Sequence, residues 1–134
     1  MDFGVRFAFN LLFLTCLDTC WLRINFKLFP GVIYSDNALS QRNFRDSFTI
    51  TIACFVCWIC SALYLAGHHY DTLLHTAAEA AWIGSLVYAV FNATIYAMNK
   101  DWFIFPTATV DTLWGTALFT TAAVLTDIIA DIYF

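Results

Sequence analysis

The chain has 134 residues, 61% of them hydrophobic and only 12% charged, with a net charge of −4 and a mean hydropathy of +0.71. Soluble domains have about a quarter of their residues charged, so this composition cannot cover a water-facing surface; it predicts an integral membrane protein of one small domain, 1–134. Six Lys and Arg against ten Asp and Glu exclude nucleic acid as a partner, because neutralising phosphates needs clustered bases.

A bilayer core of about 30 Å needs roughly 20 helical residues, and four apolar segments qualify. The first covers about 3–22. Arg6 before an apolar run looks like a signal peptide, yet no small-x-small cleavage site follows and Asp18 interrupts the end of the run. A retained first helix is expected. The connection 23–47 is the only long one, with Pro30-Gly31 marking a turn and a polar stretch from Ser35 to Asp46. The second segment, about 48–66, carries Cys54-x-x-Cys57-x-x-Cys60. A short His-rich loop, 67–76, leads to the third segment at about 77–98, and a tight turn, 99–102, leads to the fourth at about 103–128. Helices joined by so short a turn form an antiparallel hairpin. The expected fold is an all-α bundle of four transmembrane helices.

Arg23, Lys27, Arg42, Arg45 and Lys100 fall on one side of such a bundle and Arg6 alone on the other. The positive-inside rule then predicts that the first and third loops are cytoplasmic, with both termini on the opposite side. Trp21, Trp102, Tyr34 and Tyr133 are placed to anchor at the membrane interfaces. Cys16, Cys20, Cys54, Cys57 and Cys60 all lie in predicted spans. Their odd number does not suit a disulfide framework, and they read as buried apolar fillers.

Ala77, Ala81, Ser85, Ala89, Ala93 and Ala97 recur at every fourth position of the third segment. Ala108, Thr112, Thr116 and Thr120 do the same on the fourth, which also contains Gly115. Small residues at this spacing make a ridge that another helix backbone can approach closely. Packing within one bundle, rather than a dimer interface, is the reading preferred.

The quartet Asp18-Thr19-Cys20-Trp21 recurs as Asp111-Thr112-Leu113-Trp114. An ionisable residue inside a span costs roughly 2.5–3.5 kcal/mol on insertion scales, so each aspartate should face protein or water. The predicted helices bring Asp18, Asn92, Thr94 and Asp111 to a common depth in the cytoplasmic half, with no basic residue beside them. Such a layer suits either an ion or proton site or a hydrogen-bonded clasp that fixes helix register. No segment shows the broken helix typical of inverted-repeat transporters, which favours the clasp.

His68, His69, Asp71, His75 and Glu79 form a second constellation. His75 and Glu79 share a helical face, but their spacing is not that of the His-Glu-x-x-His zinc helix. A solvated loop is expected there, with no metal, no cofactor and no catalytic set. The glycosylation sequon Asn92-Ala93-Thr94 lies within a span and out of reach.

Four short elements occur in order along the chain: Leu17-Asp18-x-x-Trp21-Leu22, Tyr88 through Ala97, Lys100-x-Trp102 and Val110-Asp111-x-x-Trp114-Gly115. In these it resembles a family of small four-helix membrane proteins of bacteria and large DNA viruses, catalogued as domain of unknown function 2177. That family tends to have Tyr-Asp-x-Thr-Asn where this chain has Phe91-Asn92-Ala93-Thr94-Ile95, so a carboxylate and an amide are missing from the layer. One extra residue also stands between Trp102 and Asp111. The resemblance implies topology and carries no established activity.

The function expected is non-enzymatic, a structural or interaction role in a membrane. The resemblance's viral branch suggests a component of a large DNA virus internal membrane, made on a host membrane, that meets the capsid layer through Arg23, Lys27, Arg42 and Arg45. The alternative is a small proton- or ion-coupled transporter or channel subunit using Asp18 and Asp111. Four helices enclose little space, so that alternative calls for a homo-oligomer.

Overall fold

Inside a bilayer no water satisfies the backbone, so a spanning segment must pair its own N–H and C=O groups, and a helix does so within itself. A computed structural model describes residues 2–28, 44–68, 72–98 and 105–133. It contains α1 (Phe3–Leu28), α2 (Phe44–Gly67), α3 (Leu73–Met98) and α4 (Phe105–Tyr133), with no strand among the described residues. Phe3–Ile24, Leu73–Thr94 and Ala108–Tyr133 are long and apolar enough to cross a membrane, and the apolar part of α2, Cys54–Gly67, is shorter. These lengths fit an integral membrane protein.

The helices outrun the apolar segments that announced them. Hydropathy marks the hydrocarbon core, whereas the hydrogen-bond ladder continues into the interface. Arg23 and Lys27 therefore sit on the last turns of α1 and Arg45 on the first turn of α2, not in a loop. Arg42, Lys100, Tyr34, Trp102, His69 and Asp71 lie outside the described residues.

Local chemistry sets several helix ends. Thr72 caps α3: its hydroxyl accepts the His75 N–H at 3.3 Å and its carbonyl accepts the Thr76 N–H at 3.0 Å. Pro106 stands in the first turn of α4, where its missing N–H costs no helix bond. At the end of α2 the His68 ring nitrogen Nδ1 donates to the Tyr64 carbonyl at 2.8 Å, and the two rings stack.

α3 and α4 make the closest pair, while α1 packs against both α2 and α4. The α3–α4 crossing is built on two glycines. A Cβ on Gly84 would come within 2.5 Å of the Gly115 carbonyl oxygen and 2.8 Å of Phe119 Cβ. One on Gly115 would run into the Tyr88 ring, which fills the hollow and meets Phe119 edge-on at 6.3 Å. Only glycine permits this approach.

The row of α3 that faces its neighbours is consequently Thr76, Ala80, Gly84, Tyr88 and Asn92, one position before the alanine ridge expected. Ala77, Ala81 and Ser85 flank it half-buried, and Ala89, Ala93 and Ala97 are exposed. Side-chain size alone does not choose the row; the glycine and the two polar ends, Thr76 and Asn92, do. The flanking ridge still makes one polar contact, Ser85 to Thr116 at 2.8 Å. On α4, Ala108, Thr112, Thr116 and Thr120 are all half-buried.

Leu14, Ala62, Leu118, Phe119 and Ala122 fill the middle of the bundle with almost no exposure. Leu74, Trp82, Val90, Leu113 and Ile132 project outward, as a lipid-facing surface requires. The cysteines are not the core fillers expected: Cys16, Cys20, Cys57 and Cys60 are exposed and only Cys54 is partly covered. A thiol is apolar enough to face lipid, so burial in protein is not demanded of it.

Candidate functional site

The repeated quartet explains itself once α1 and α4 are seen to pack antiparallel. Each aspartate accepts from the other quartet's tryptophan. Trp114 Nε1 donates to Asp18 Oδ1 at 3.0 Å, and Trp21 Nε1 reaches Asp111 Oδ1 at 3.4 Å. The two indoles lie face to face between the carboxylates, with ring centres 4.5 Å apart and planes 8° from parallel. Two turns of unlike helices thus interlock by the same rule read in opposite directions. Trp21 is a half-buried element of this lattice near the end of its span, while Tyr133 is exposed near the end of α4.

α2 and α3 complete the layer. Trp58 Nε1 donates to Asp18 Oδ2 at 3.1 Å, so both oxygens of that carboxylate, itself 8% exposed, accept an indole N–H. Tyr88 lies beside Asp18, and Asn92 beside Asp111. The Asn92 amide nitrogen donates to the Ala108 carbonyl at 3.3 Å and to Thr112 Oγ1 at 3.0 Å, binding α3 to α4. Of the four residues expected here, Asp18, Asn92 and Asp111 do share the layer. Thr94 does not: it is exposed, and its hydroxyl returns to the Val90 carbonyl at 2.8 Å. Being two positions from Asn92 turns it to another face of the helix.

A second polar layer lies toward the other end, about 18 Å away along α1 at 1.5 Å per residue. Here Arg6 forms a buried ion pair with Asp127. Thr76 donates to the second oxygen of Asp127 at 2.7 Å. Asn10 donates to the Arg6 carbonyl at 3.0 Å, and the Thr126 hydroxyl stands 3.3 Å from Asn10 Oδ1. All five residues are buried. A cleft of about 10 Å³, room for about one water, opens beside them between Tyr64, His68, Thr76 and Glu79.

The sequence reading makes Arg6 the lone basic residue on its side of the bundle and gives it no partner. The missed signal was the quartet itself. If residue 18 of one helix opposes residue 114 of an antiparallel neighbour, residue 6 must oppose a residue close to 127. Trp58 and Tyr88 had no comparable signal, since an isolated aromatic in a span is equally suited to lipid.

His75 and Glu79 face each other at 3.8 Å on the exposed side of α3. No three His, Cys, Asp or Glu side chains converge in metal-binding geometry among the described residues. Compared with known proteins, the chain matches no family model, no curated protein and no solved structure.

Proposed function

We propose that this is a non-enzymatic multi-pass membrane protein with a structural or interaction role, in which the polar layers lock the helices rather than pass a solute. The observation that carries this reading is the buried apolar section between the layers. Leu14, Ala62, Leu118, Phe119 and Ala122 fill it, and each layer ties α1 to α4 through side chains on both. Groups arranged for transport need an alternating route between them, whereas groups arranged as clasps need only their partners.

The resemblance to the four-helix family supports a narrower form of the proposal. The protein would then reside in a host membrane and in the internal membrane of a large DNA virus, with its basic end toward the capsid layer. Arg6 is neutralised by Asp127, which leaves Arg23, Lys27, Arg42, Arg45 and Lys100 as the basic residues of the other side, the first four forming the contact. Gentle-detergent affinity purification from native membranes, followed by mass spectrometry, tests it. Stoichiometric capsid or assembly proteins, lost when those four residues become alanine, would support the proposal. Recovery of the chain alone or as a homo-oligomer would count against it. Proton- or ion-dependent flux in liposomes that Asp111→Asn abolishes would replace it with the transporter reading.

A further inference from the structure

The ion-pair layer contains one side chain whose hydrogen bonds do not close. Asn10, 2% exposed, gives an amide hydrogen to the Arg6 carbonyl at 3.0 Å. An amide nitrogen carries two hydrogens, and the second meets no acceptor among the described residues. Turning the amide over would press its oxygen against that carbonyl, so the orientation follows from the contact. The Asn10 oxygen fares little better. Its neighbour is the Thr126 hydroxyl at 3.3 Å, which has a single hydrogen and stands 2.8 Å from the Ala122 carbonyl. The nearer acceptor takes that hydrogen. Asn10 is thus a buried amide with one N–H and one oxygen still to satisfy, a costly state without a further partner.

The cleft beside the ion pair is where such a partner fits. Asn10 lines it together with Thr76 and Asp127, and Tyr64, His68 and Glu79 stand around them. The Thr76 hydroxyl gives its hydrogen to Asp127 and keeps its lone pairs. The Asp127 carboxylate has about four acceptor sites, and among the described residues only Arg6 and Thr76 donate to it. An occupant must therefore accept from one N–H and donate to several oxygens. A metal ion or an ammonium group cannot accept, and an anion would meet two carboxylates, Asp127 and Glu79. Water does both. The cleft, about 10 Å³, also has room for about one water and no more.

We propose that this cleft is a binding site for one water, held by Asn10, Thr76 and Asp127 and exchanging with the aqueous phase past His68 and Glu79. His68 is exposed and Glu79 half-buried, so the way out is short. The inference goes beyond the structural role, because it makes the Arg6–Asp127 lock a hydrated one, open to water and its protons at one end of the bundle. Asn92 in the other layer offers the contrast. Both its amide hydrogens are committed, to the Ala108 carbonyl and to Thr112 Oγ1, which leaves its nitrogen none for water.

Solid-state NMR of the full chain in lipid bilayers, reading magnetisation transfer from water to isotopically labelled asparagine side chains, tests the proposal. The Asn10 amide should be polarised by water sooner than the Asn92 amide. Ala123 also lines the cleft, and Ala123→Val sets a larger side chain against it. That variant should lose the early transfer at Asn10 while the Asn92 signal stays in place, which shows that the bundle is intact. An Asn10 amide polarised no sooner than Asn92 in the unsubstituted chain overturns the proposal, and this comparison does not depend on the variant folding. Early transfer to Asn10 that survives Ala123→Val, with the Asn92 signal unchanged, overturns it as well.

Discussion

The two polar layers solve the same problem by different means. At the Arg6 end a carboxylate is met by a guanidinium and a hydroxyl, so the charge is cancelled where it lies. At the Asp18–Asp111 end two carboxyl groups share a layer with indoles, a phenol and an amide, and no cation stands among the described residues there. Indole N–H groups satisfy lone pairs without adding charge. The difference teaches that position in a span does not determine how an acid is tolerated. Asp127 is buried because Arg6 is buried with it; Asp18 is buried because aromatic donors from two helices enclose it.

Removing one member of the ion pair should have the largest effect, because it strands a buried charge. Arg6→Ala is expected to cost about 3–5 kcal/mol of stability, while Arg6→Met combined with Asp127→Leu should recover most of it. Reversible unfolding in bilayers or micelles measures both, and Asp111→Asn in the same assay should lose much less. If Arg6→Ala and Asp111→Asn prove equal, the contrast between the layers fails.

Next comes the crossing that brings α3 and α4 together. Gly115→Leu drives a side chain into the Tyr88 ring and should cost about 1–3 kcal/mol by overpacking. Pairing it with Tyr88→Ala should restore part of the loss, which a double-mutant cycle would show. A Gly115→Leu variant as stable as the parent would mean that the glycine contact does not set the helix spacing.

Within the aromatic layer the two indole bonds should differ. Interhelical hydrogen bonds in membranes contribute about 0.6 kcal/mol on average and at most roughly 1.7. Trp114→Phe removes a 3.0 Å donor from Asp18 and should fall near the upper figure; Trp21→Phe removes a 3.4 Å donor from Asp111 and should fall near the lower. The reverse order would show that Asp111 is the more tightly held aspartate. The smallest effects belong to the outer surface. Cys16, Cys20, Cys57 and Cys60 changed singly to Ala should each shift stability by less than about 0.5 kcal/mol, since they face outward.

Much of this was legible in advance, for identifiable reasons. Apolar segments of spanning length announce helices because the bilayer leaves a backbone few ways to pair its own groups. The duplicated quartet announced that Asp18 and Asp111 belong together, and it held enough register to locate Arg6 opposite Asp127. Thr94 and the alanine ridge misled because spacing along a helix does not say which way the helix is turned. Ala81 and Ala80 differ by one position, which is about 100° of rotation at 3.6 residues per turn, and only Ala80 faces the core.

What the sequence determined by itself, then, was that four apolar segments become helices, and that polar groups inside them must find partners. Both are local demands of a medium without water, and each segment states them separately. The tertiary structure decided which partner each polar group took: Arg6 for Asp127, indoles from two helices for Asp18, and a more distant indole for Asp111. Those choices depend on the rotation and spacing of whole helices, fixed where Gly84 meets Gly115 and Tyr88 fills the gap. No stretch of chain encodes that contact alone, because it exists only when two backbones approach.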